Sequence, residues 1–309
     1  MERSLETFAD VDRALVFGLG GGGDVVSAIP TTRLLEAFGV EVIVGGLSWI
    51  PLPRDVRPGP RSLEELRNVD PVAERVGRVE AGARTMDDVP LPEGQVAAHV
   101  ENRVLVFDMS TGANPLVESV RRVVEAWDVE ALVGVDAGGD ALAVGDEPGV
   151  ASPLTDAVGL AVLDGVSRPS ALGVLGYGSD GELEATELDA AFADLAGAGA
   201  LLGAWGITPA VREELLAILE DVETEASRVP VEAAGGALGT RTVRGGRSRV
   251  EVGPAAPVTY YFDPGAVIER STIVETVRDA PSLAAADRRL RERGVQTEFE
   301  TERLRAEGS

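Results

Sequence analysis

Residues 14–38 of the chain read ALVFGLGGGGDVVSAIPTTRLLEAF, and they contain three successive structural signals. Ala14 to Phe17 is a short apolar run of the kind that forms a buried strand. A glycine-rich turn follows it directly, and Val25 to Phe38 has the spacing of an amphipathic helix that ends before Gly39. A strand, a glycine turn and a helix in this order predict the first crossover unit of an α/β fold.

The same alternation of strand and helix continues along the chain. Further strands are predicted at Glu41–Val44, Val104–Phe107, Ala131–Val135 and Ala171–Leu175. Helices are predicted to start at Asn114-Pro115, Ser152-Pro153 and Thr208-Pro209, where a capping residue precedes a proline. We therefore expect a Rossmann-like three-layer sandwich, with a mostly parallel sheet and helices on both faces.

Two stretches of the chain depart from this alternation. Residues 48–60 are rich in proline and predict a loop over the strand ends, which is a candidate lid, and Ser62 with Glu65 has capping-box spacing. Past Val229, RTVRGGRSRV predicts a two-stranded hairpin and VTYYF a further β run, so that a C-terminal β appendage or edge extension is expected at about residues 240–265.

The chain end predicts one more helix and a tail. The helix runs from Ser282 to Arg293, and a frayed polar tail is expected over TEFETERLRAEGS. A length of 309 residues is compatible with one α/β domain spanning residues 1–309.

The composition is strongly acidic and excludes several classes of function. The chain has 52 acidic and 28 basic residues, a net charge of −24, and every basic residue is arginine. This predicts the cytoplasm of a halophilic cell, and it disfavours nucleic acid and anionic membranes as partners. Because cysteine is absent, thiolate metal sites and cysteine nucleophiles are excluded. The chain has a single histidine, His99, and we expect it to have a structural role. The charged start, MERSLETFADVDR, predicts neither an export signal nor an anchor.

The glycine-rich turn spells G-x-G-x-x-G and predicts an anion site. Its glycines allow backbone amides to approach a phosphate at the helix start, which makes Gly18, Gly20, Gly21, Gly22 and Gly23 candidate ligand-binding residues. A tight strand-to-helix turn without a ligand is the alternative. A dinucleotide is disfavoured because Gly45-Gly46 stands where an acid would bind the ribose.

Three other loops follow predicted strands and should share one edge of a parallel sheet with the glycine turn. They add further candidate ligand-binding residues: Ser110, Thr111, Gly112, Asn114, Gly138, Gly139, Gly178 and Ser179. Asp108, Asp136 and Asp140 are the candidate ligands of Mg²⁺, with Asp24 able to complete the shell, because Mg²⁺ prefers oxygen ligands. Asp24 or Asp180 is the candidate general base. The alternative is that these acids cap helices and turns.

An arginine cluster lies in the predicted hairpin. Arg241, Arg244, Arg247 and Arg249 occur within nine residues without an acid between them. They either clamp a phosphate or carboxylate, or pair with neighbouring acids or another subunit.

The segments GLGGGGDVVSAIP, VFDMSTGANP, VDAGGDAL and GYGSDGEL together resemble the archaeal family described as domain of unknown function 1152. The resemblance covers nearly the whole chain. It implies an α/β fold and an archaeal cytosol, and it assigns a role to no residue.

These patterns favour an enzyme that binds a small phosphorylated metabolite or nucleotide together with a divalent cation. A non-catalytic ligand sensor and a nicotinamide-dependent enzyme are the alternatives. Enzymes of this fold class and size are commonly homo-oligomers.

Overall fold

A nine-stranded sheet forms the centre of the molecule. The computed structural model describes residues 4–52 and 54–307. The strands are β1 (Arg13–Gly18), β2 (Glu41–Leu47), β3 (Trp49–Ile50), β4 (Gly59–Pro60), β5 (Leu66–Ala73), β6 (Val76–Thr85), β7 (Val104–Phe107), β8 (Ala131–Ala137), β9 (Ser170–Leu175), β10 (Leu201–Gly206), β11 (Gly239–Val243), β12 (Ser248–Val252) and β13 (Val258–Phe262). The main sheet has the order β10-β13-β9-β8-β1-β2-β7-β6-β5. Its five central strands, β9 to β7, are parallel, and antiparallel strands extend both edges.

Helices cover both faces of this sheet. They are α1 (Asp24–Ala37), α2 (Pro92–Val96), α3 (Ala113–Ala126), α4 (Pro153–Gly165), α5 (Ala185–Gly197), α6 (Pro209–Asp221), α7 (Glu225–Ala233), α8 (Pro264–Arg270), α9 (Thr272–Arg278), α10 (Leu283–Glu292) and α11 (Glu298–Glu307). Short 3-10 helices occupy Leu5–Phe8, Leu63–Glu65 and Asp140–Leu142. Among the described residues, no helix has both the length and the apolar character needed to cross a bilayer.

The two faces of β1 show how the layers are packed. Leu15 and Phe17 share a core cluster with side chains of α3 and α4, whereas Ala14 and Val16 pack in another cluster with side chains of α1. Successive strand residues point to opposite faces, so the central strand is covered on both sides. The predicted α/β fold, with a mostly parallel central sheet and helices on both faces, is confirmed.

The C-terminal part of the chain differs from the prediction in two places. β11 and β12 pair antiparallel in a separate two-stranded sheet, but β13 lies inside the main sheet, between β9 and β10. The VTYYF run is therefore neither an appendage nor an edge extension, because Tyr261 and Phe262 are fully buried and pair with β9. The predicted frayed tail is also wrong, since α11 occupies most of it and buries Glu298 and Glu302. Gly308 and Ser309 of that tail, Met1 to Arg3 of the charged start and Pro53 of the proline-rich loop lie outside the described residues.

The predicted helix caps have different outcomes. The capping box of Ser62 and Glu65 and the cap of Thr208 on the Val211 amide are confirmed. The Asn114 cap is wrong, because the cap position is two residues earlier, at Gly112 with a φ of 109°, and the Asn114 side chain donates to the Arg278 carbonyl. Ser152 stands at the cap position of α4, but its hydroxyl bonds to acids instead.

Candidate functional site

An open cavity of about 560 Å³ lies at the carboxyl ends of β1, β8 and β9. Three of the four predicted loops meet there, and they contribute Gly20–Asp24, Asp140, Ser179 and Asp180 to its wall. The start of α4, the segment after β3, the start of α7, the turn between β11 and β12, and α11 complete it. The expectation that distant strand-end loops share one rim thus holds for β1, β8 and β9.

Three aspartates converge beside the cavity: Asp24 and Asp156 line it, and Asp136 is fully buried next to them without lining it. Asp24 opens α1, Asp136 lies in β8, and Asp156 lies in the first turn of α4. Each offers a carboxylate oxygen within 4.8 Å of the other two. Burial raises the pKa of each of these carboxyls well above its usual range, and the nearby charge of Asp140 raises it further. The same two causes raise the pKa of Asp180.

Several of these carboxylate oxygens lack a donor. Both oxygens of Asp136, Oδ1 of Asp156 and Oδ2 of Asp180 are buried without a hydrogen-bond partner among the described residues. Asp140 lies beside Asp136, but two carboxyl groups can share a hydrogen bond only if one is protonated. Buried polar atoms in folded proteins almost always have a partner. An oxygen-rich site of this kind is suited to a cation.

The glycine turn makes room for these side chains. A Cβ at Gly20 would lie 2.6 Å from Asp24 Oδ2 and 2.9 Å from Asp156 Oδ1, and a Cβ at Gly138 would lie 2.3 Å from Asp180 Cγ. A side chain at Gly20 would therefore displace two of the three converging carboxylates.

The amides of the turn are largely occupied. Gly20 N–H donates to Asp24 Oδ2, Gly22 N–H to the Trp49 carbonyl, and Gly23 N–H to the Gly21 carbonyl. A phosphate cradle was predicted here, and the bonds now in place leave the turn few free donors. Close packing explains the glycines without a phosphate, and anion binding by Gly18 and Gly20–Gly23 remains a prediction.

Of the predicted arginine cluster, Arg244 reaches deepest into the cavity. Its Nε donates to the Asp180 carbonyl at 2.8 Å, and its guanidinium forms an ion pair with the buried Glu182. Glu182 also accepts hydrogen bonds from Ala151 N–H, Ser152 N–H and the Ser152 hydroxyl. Arg247 lines the rim, whereas Arg241 and Arg249 are not among the described lining residues. Arg244 therefore holds the turn between β11 and β12 against the cavity wall.

The loop after β7 does not contribute to this cavity in the described part of the chain. Asp108 is a satisfied buried acid: it pairs with Arg75 at 3.0 Å and accepts from Ser110 N–H and Leu63 N–H. The four ligand-binding candidates on this loop are likewise absent from the described lining: Ser110, Thr111, Gly112 and Asn114. Gly138, Gly139 and Gly178 lie in the two loops that reach the cavity, but they do not face it either. His99 contacts Asp221 at 2.7 Å, outside the cavity.

Sequence reasoning missed three residues of the site. Asp156 is an acid on α4, a helix whose residues 153–163 are all buried, and an isolated charge in such a helix was an available signal. Glu298 belongs to a segment that reads as a polar tail. Arg54, in the proline-rich loop, lines the cavity and donates to the Gly22 carbonyl at 2.9 Å.

Comparison with known proteins identifies the family alone. No curated protein and no solved structure matches the chain. A family model described as "Protein of unknown function (DUF1152)" matches residues 15–306, almost the whole chain, and the chain therefore belongs to this family.

Proposed function

We propose that the cavity binds a divalent cation such as Mg²⁺ through Asp24, Asp136 and Asp156, and through it a small phosphorylated ligand on which the protein acts as an enzyme. The observation that carries the proposal is Asp136, whose two buried carboxylate oxygens have no donor among the described residues.

Electrostatics supports a cation at this point. Two carboxylates about 5 Å apart repel each other by roughly 3 kcal/mol at an effective dielectric constant of about 20. A divalent cation between them turns this repulsion into attraction. Mg²⁺ takes oxygen ligands, keeps some of its waters and commonly binds phosphate oxygens as well.

The cation ligands in this proposal differ from those expected from sequence. Asp136 is retained, and so is Asp24, which was expected to complete the shell, whereas Asp108 and Asp140 are not ligands in the proposal. Asp156 takes the place of Asp108, which is already neutralised by Arg75. Asp140 lies next to the three ligands and faces the cavity, where it adds negative charge.

The chemistry that fits this arrangement is phosphoryl transfer or phosphate-ester hydrolysis. A bound cation polarises phosphoryl oxygens and lowers the pKa of its water. Asp180 is the candidate general base, because it lines the cavity and has a buried oxygen without a partner. Asp24 is assigned to the cation instead of to proton transfer.

The test is calorimetric titration of Mg²⁺ and Mn²⁺ into the metal-free protein. We expect binding by the wild type and its loss in Asp136→Asn, while Asp108→Asn, the comparison variant, still binds. Because the free carboxyls have raised pKa values, binding should also release protons, so that the measured heat depends on the ionisation enthalpy of the buffer. Equal binding by the wild type and Asp136→Asn would contradict the proposal.

Catalysis is tested separately with a panel of phosphate esters and nucleotides in the presence of Mg²⁺. Release of phosphate that depends on Asp180 supports an enzyme. A ligand that binds with Mg²⁺ and is recovered unchanged supports a non-catalytic ligand sensor. A nicotinamide nucleotide that binds without a cation supports a nicotinamide-dependent enzyme.

A further inference from the structure

We infer that Arg54 receives the acid group of the ligand, so that one phosphate group is held between the cation and this guanidinium. Only the statement that the cation binds the phosphate rests on the proposed function. The argument for Arg54 is independent of the metal.

Arg54 is a half-buried arginine of the cavity wall that forms no ion pair with a described residue. Its only described hydrogen bond goes from Nη2 to the Gly22 carbonyl, and no carboxylate of the described residues lies within 4 Å of its nitrogens. Burial lowers the pKa of its guanidinium, and the charges of Glu223, Glu93 and Glu302 only partly offset this effect. A guanidinium has five donors, so most of those on Arg54 remain available.

The neighbouring arginines of the same loop are paired. Arg57 forms an ion pair with Asp87, and Arg61 forms one with the buried Asp55. Within the cavity wall, Arg244 is paired with Glu182. Arg247 has no described ion pair either, but it is exposed to solvent, where an unpaired charge costs little. Arg212 and Arg228 are half-buried without a described ion pair as well, but neither lines the cavity. What sets Arg54 apart among the described residues is that it is half-buried, unpaired and part of the cavity wall.

None of the described acids around Arg54 is close enough to form an ion pair with it. Glu93, Glu223 and Glu302 act on it at longer range. Glu302 is already engaged by Leu52 N–H and the Arg305 guanidinium. The charge of Arg54 is left for an anion that enters the cavity.

Arg54 and the carboxylate cluster flank the same short piece of backbone. Arg54 bonds to the carbonyl of Gly22, and Asp24 accepts from the amide of Gly20. These two glycines lie two residues apart, which is at most about 7 Å of chain. One phosphate has enough oxygens to bind a cation on one side and a guanidinium fork on the other. The ligand class is therefore a phosphate ester that presents its phosphate, not its organic part, to the base of the cavity.

The probe for this inference is inorganic phosphate, titrated with and without saturating Mg²⁺. We expect Arg54→Gln to weaken phosphate binding by at least about tenfold, because a charge-assisted bond is lost, while Mg²⁺ affinity changes by less than about twofold. Arg54→Lys should recover part of the affinity, since it keeps the charge and loses the fork. Arg57→Gln is the matched control, because Arg57 lies on the same loop, pairs with Asp87 and is not among the described lining residues, and this variant should bind phosphate like the wild type.

The outcomes separate the two proposals. Phosphate binding that is unaffected by Arg54→Gln, or absent from the wild type with Mg²⁺ present, overturns the inference about Arg54. Loss of phosphate binding in Arg54→Gln in a protein that binds no Mg²⁺ overturns the cation site and leaves Arg54 as the anion anchor. Circular dichroism and the thermal midpoint of each variant show that it is folded, and phosphate should raise the midpoint of the wild type more than that of Arg54→Gln.

Discussion

Buried carboxylates in this chain fall into two groups that differ in their donors. Glu182 and Glu298 accept hydrogen bonds from backbone amides at the start of α4, and Asp108 accepts them from Ser110 and Leu63. Among the residues that the structure describes, Asp136 has no such donor, and Glu93 has one buried oxygen without a partner. Donors stabilise the charged form of an acid, and burial without them favours the neutral form.

Glu93 provides a prediction on the dependence of stability on pH. In the unfolded chain a glutamate titrates near 4.5, whereas burial raises the pKa of Glu93 to about 7 in the folded protein. Between these values the folded state keeps the proton that the unfolded state releases, so the contribution of Glu93 to the free energy of unfolding falls as pH rises from about 4.5 to about 7, and this contribution is constant above that range. We expect Glu93→Gln to lack this loss and to be more stable than the wild type at pH 8 by about 3 kcal/mol.

Urea denaturation of both proteins at pH 5 and pH 8 measures this difference. Because the other acids are unchanged in the variant, their contribution cancels in the comparison. Glu220→Gln, at an exposed position on α6, should follow the wild type at both pH values. An advantage of Glu93→Gln that does not grow between pH 5 and pH 8 would contradict the prediction.

The helices and strands show which elements the sequence specifies by itself. β1, β2, β7, β8 and β9 were predicted because their apolar runs are buried on both faces, as parallel central strands are. The hairpin of β5 and β6 was missed, since β5 contains Pro71 and exposes most of its side chains, so that no apolar run marks it. α11 was missed because Glu298 and Glu302, which it buries, have the polar character of a surface segment.

The start of α4 depends on α11 for its cap. Glu298 accepts from Leu154 N–H, Thr155 N–H and the Thr155 hydroxyl, which are donors at the first turn of α4. We expect Glu298→Ala to lower the free energy of unfolding by about 2 kcal/mol, because these donors lose their acceptor. Urea denaturation at neutral pH measures the change.

Glu307→Ala is the control on the same helix, since Glu307 pairs with Arg303 at the surface and should leave stability unchanged. If Glu298→Ala and Glu307→Ala had equal stabilities, α11 would not contribute a cap to α4.

The whole molecule carries a charge of −24, and this charge should make its stability depend on salt. Screening shortens the range of repulsion from about 10 Å at 0.1 M salt to about 3 Å at 1 M. We expect the thermal midpoint to rise by about 5 °C over this range at neutral pH, which for a chain of this size corresponds to about 2 kcal/mol. Thermal denaturation in KCl with a chelator present measures the rise without a contribution from divalent cations.

The control for the salt effect is pH. Near the isoelectric point of 4.4 the net charge vanishes, and the dependence on KCl should vanish with it. An equal increase at both pH values would mean that KCl acts by a route other than charge screening.

At the scale of the whole molecule, the location of the site could be predicted from the sequence, but the full set of residues that form it could not. Parallel strands place their following loops at one edge, which is why Asp24, Asp136, Asp140 and Asp180 could be assigned to one place. Asp156 and Arg54 could not, because their positions depend on how a helix and a proline-rich loop fold back over the rim. The pairing of β13 with β9 could not be read either, since nothing in the short VTYYF run specifies a partner so far away in sequence.

The position of β13 constrains how the protein can be made. β9 and β10 are successive strands of the main sheet, yet β13 lies between them. While the ribosome is still synthesising α6 and α7, β10 has no neighbour to pair with, and the nascent chain must keep its sheet open. Only when residues 258–262 have emerged can the gap close, so premature termination before that point should yield an aggregation-prone fragment instead of a smaller native protein.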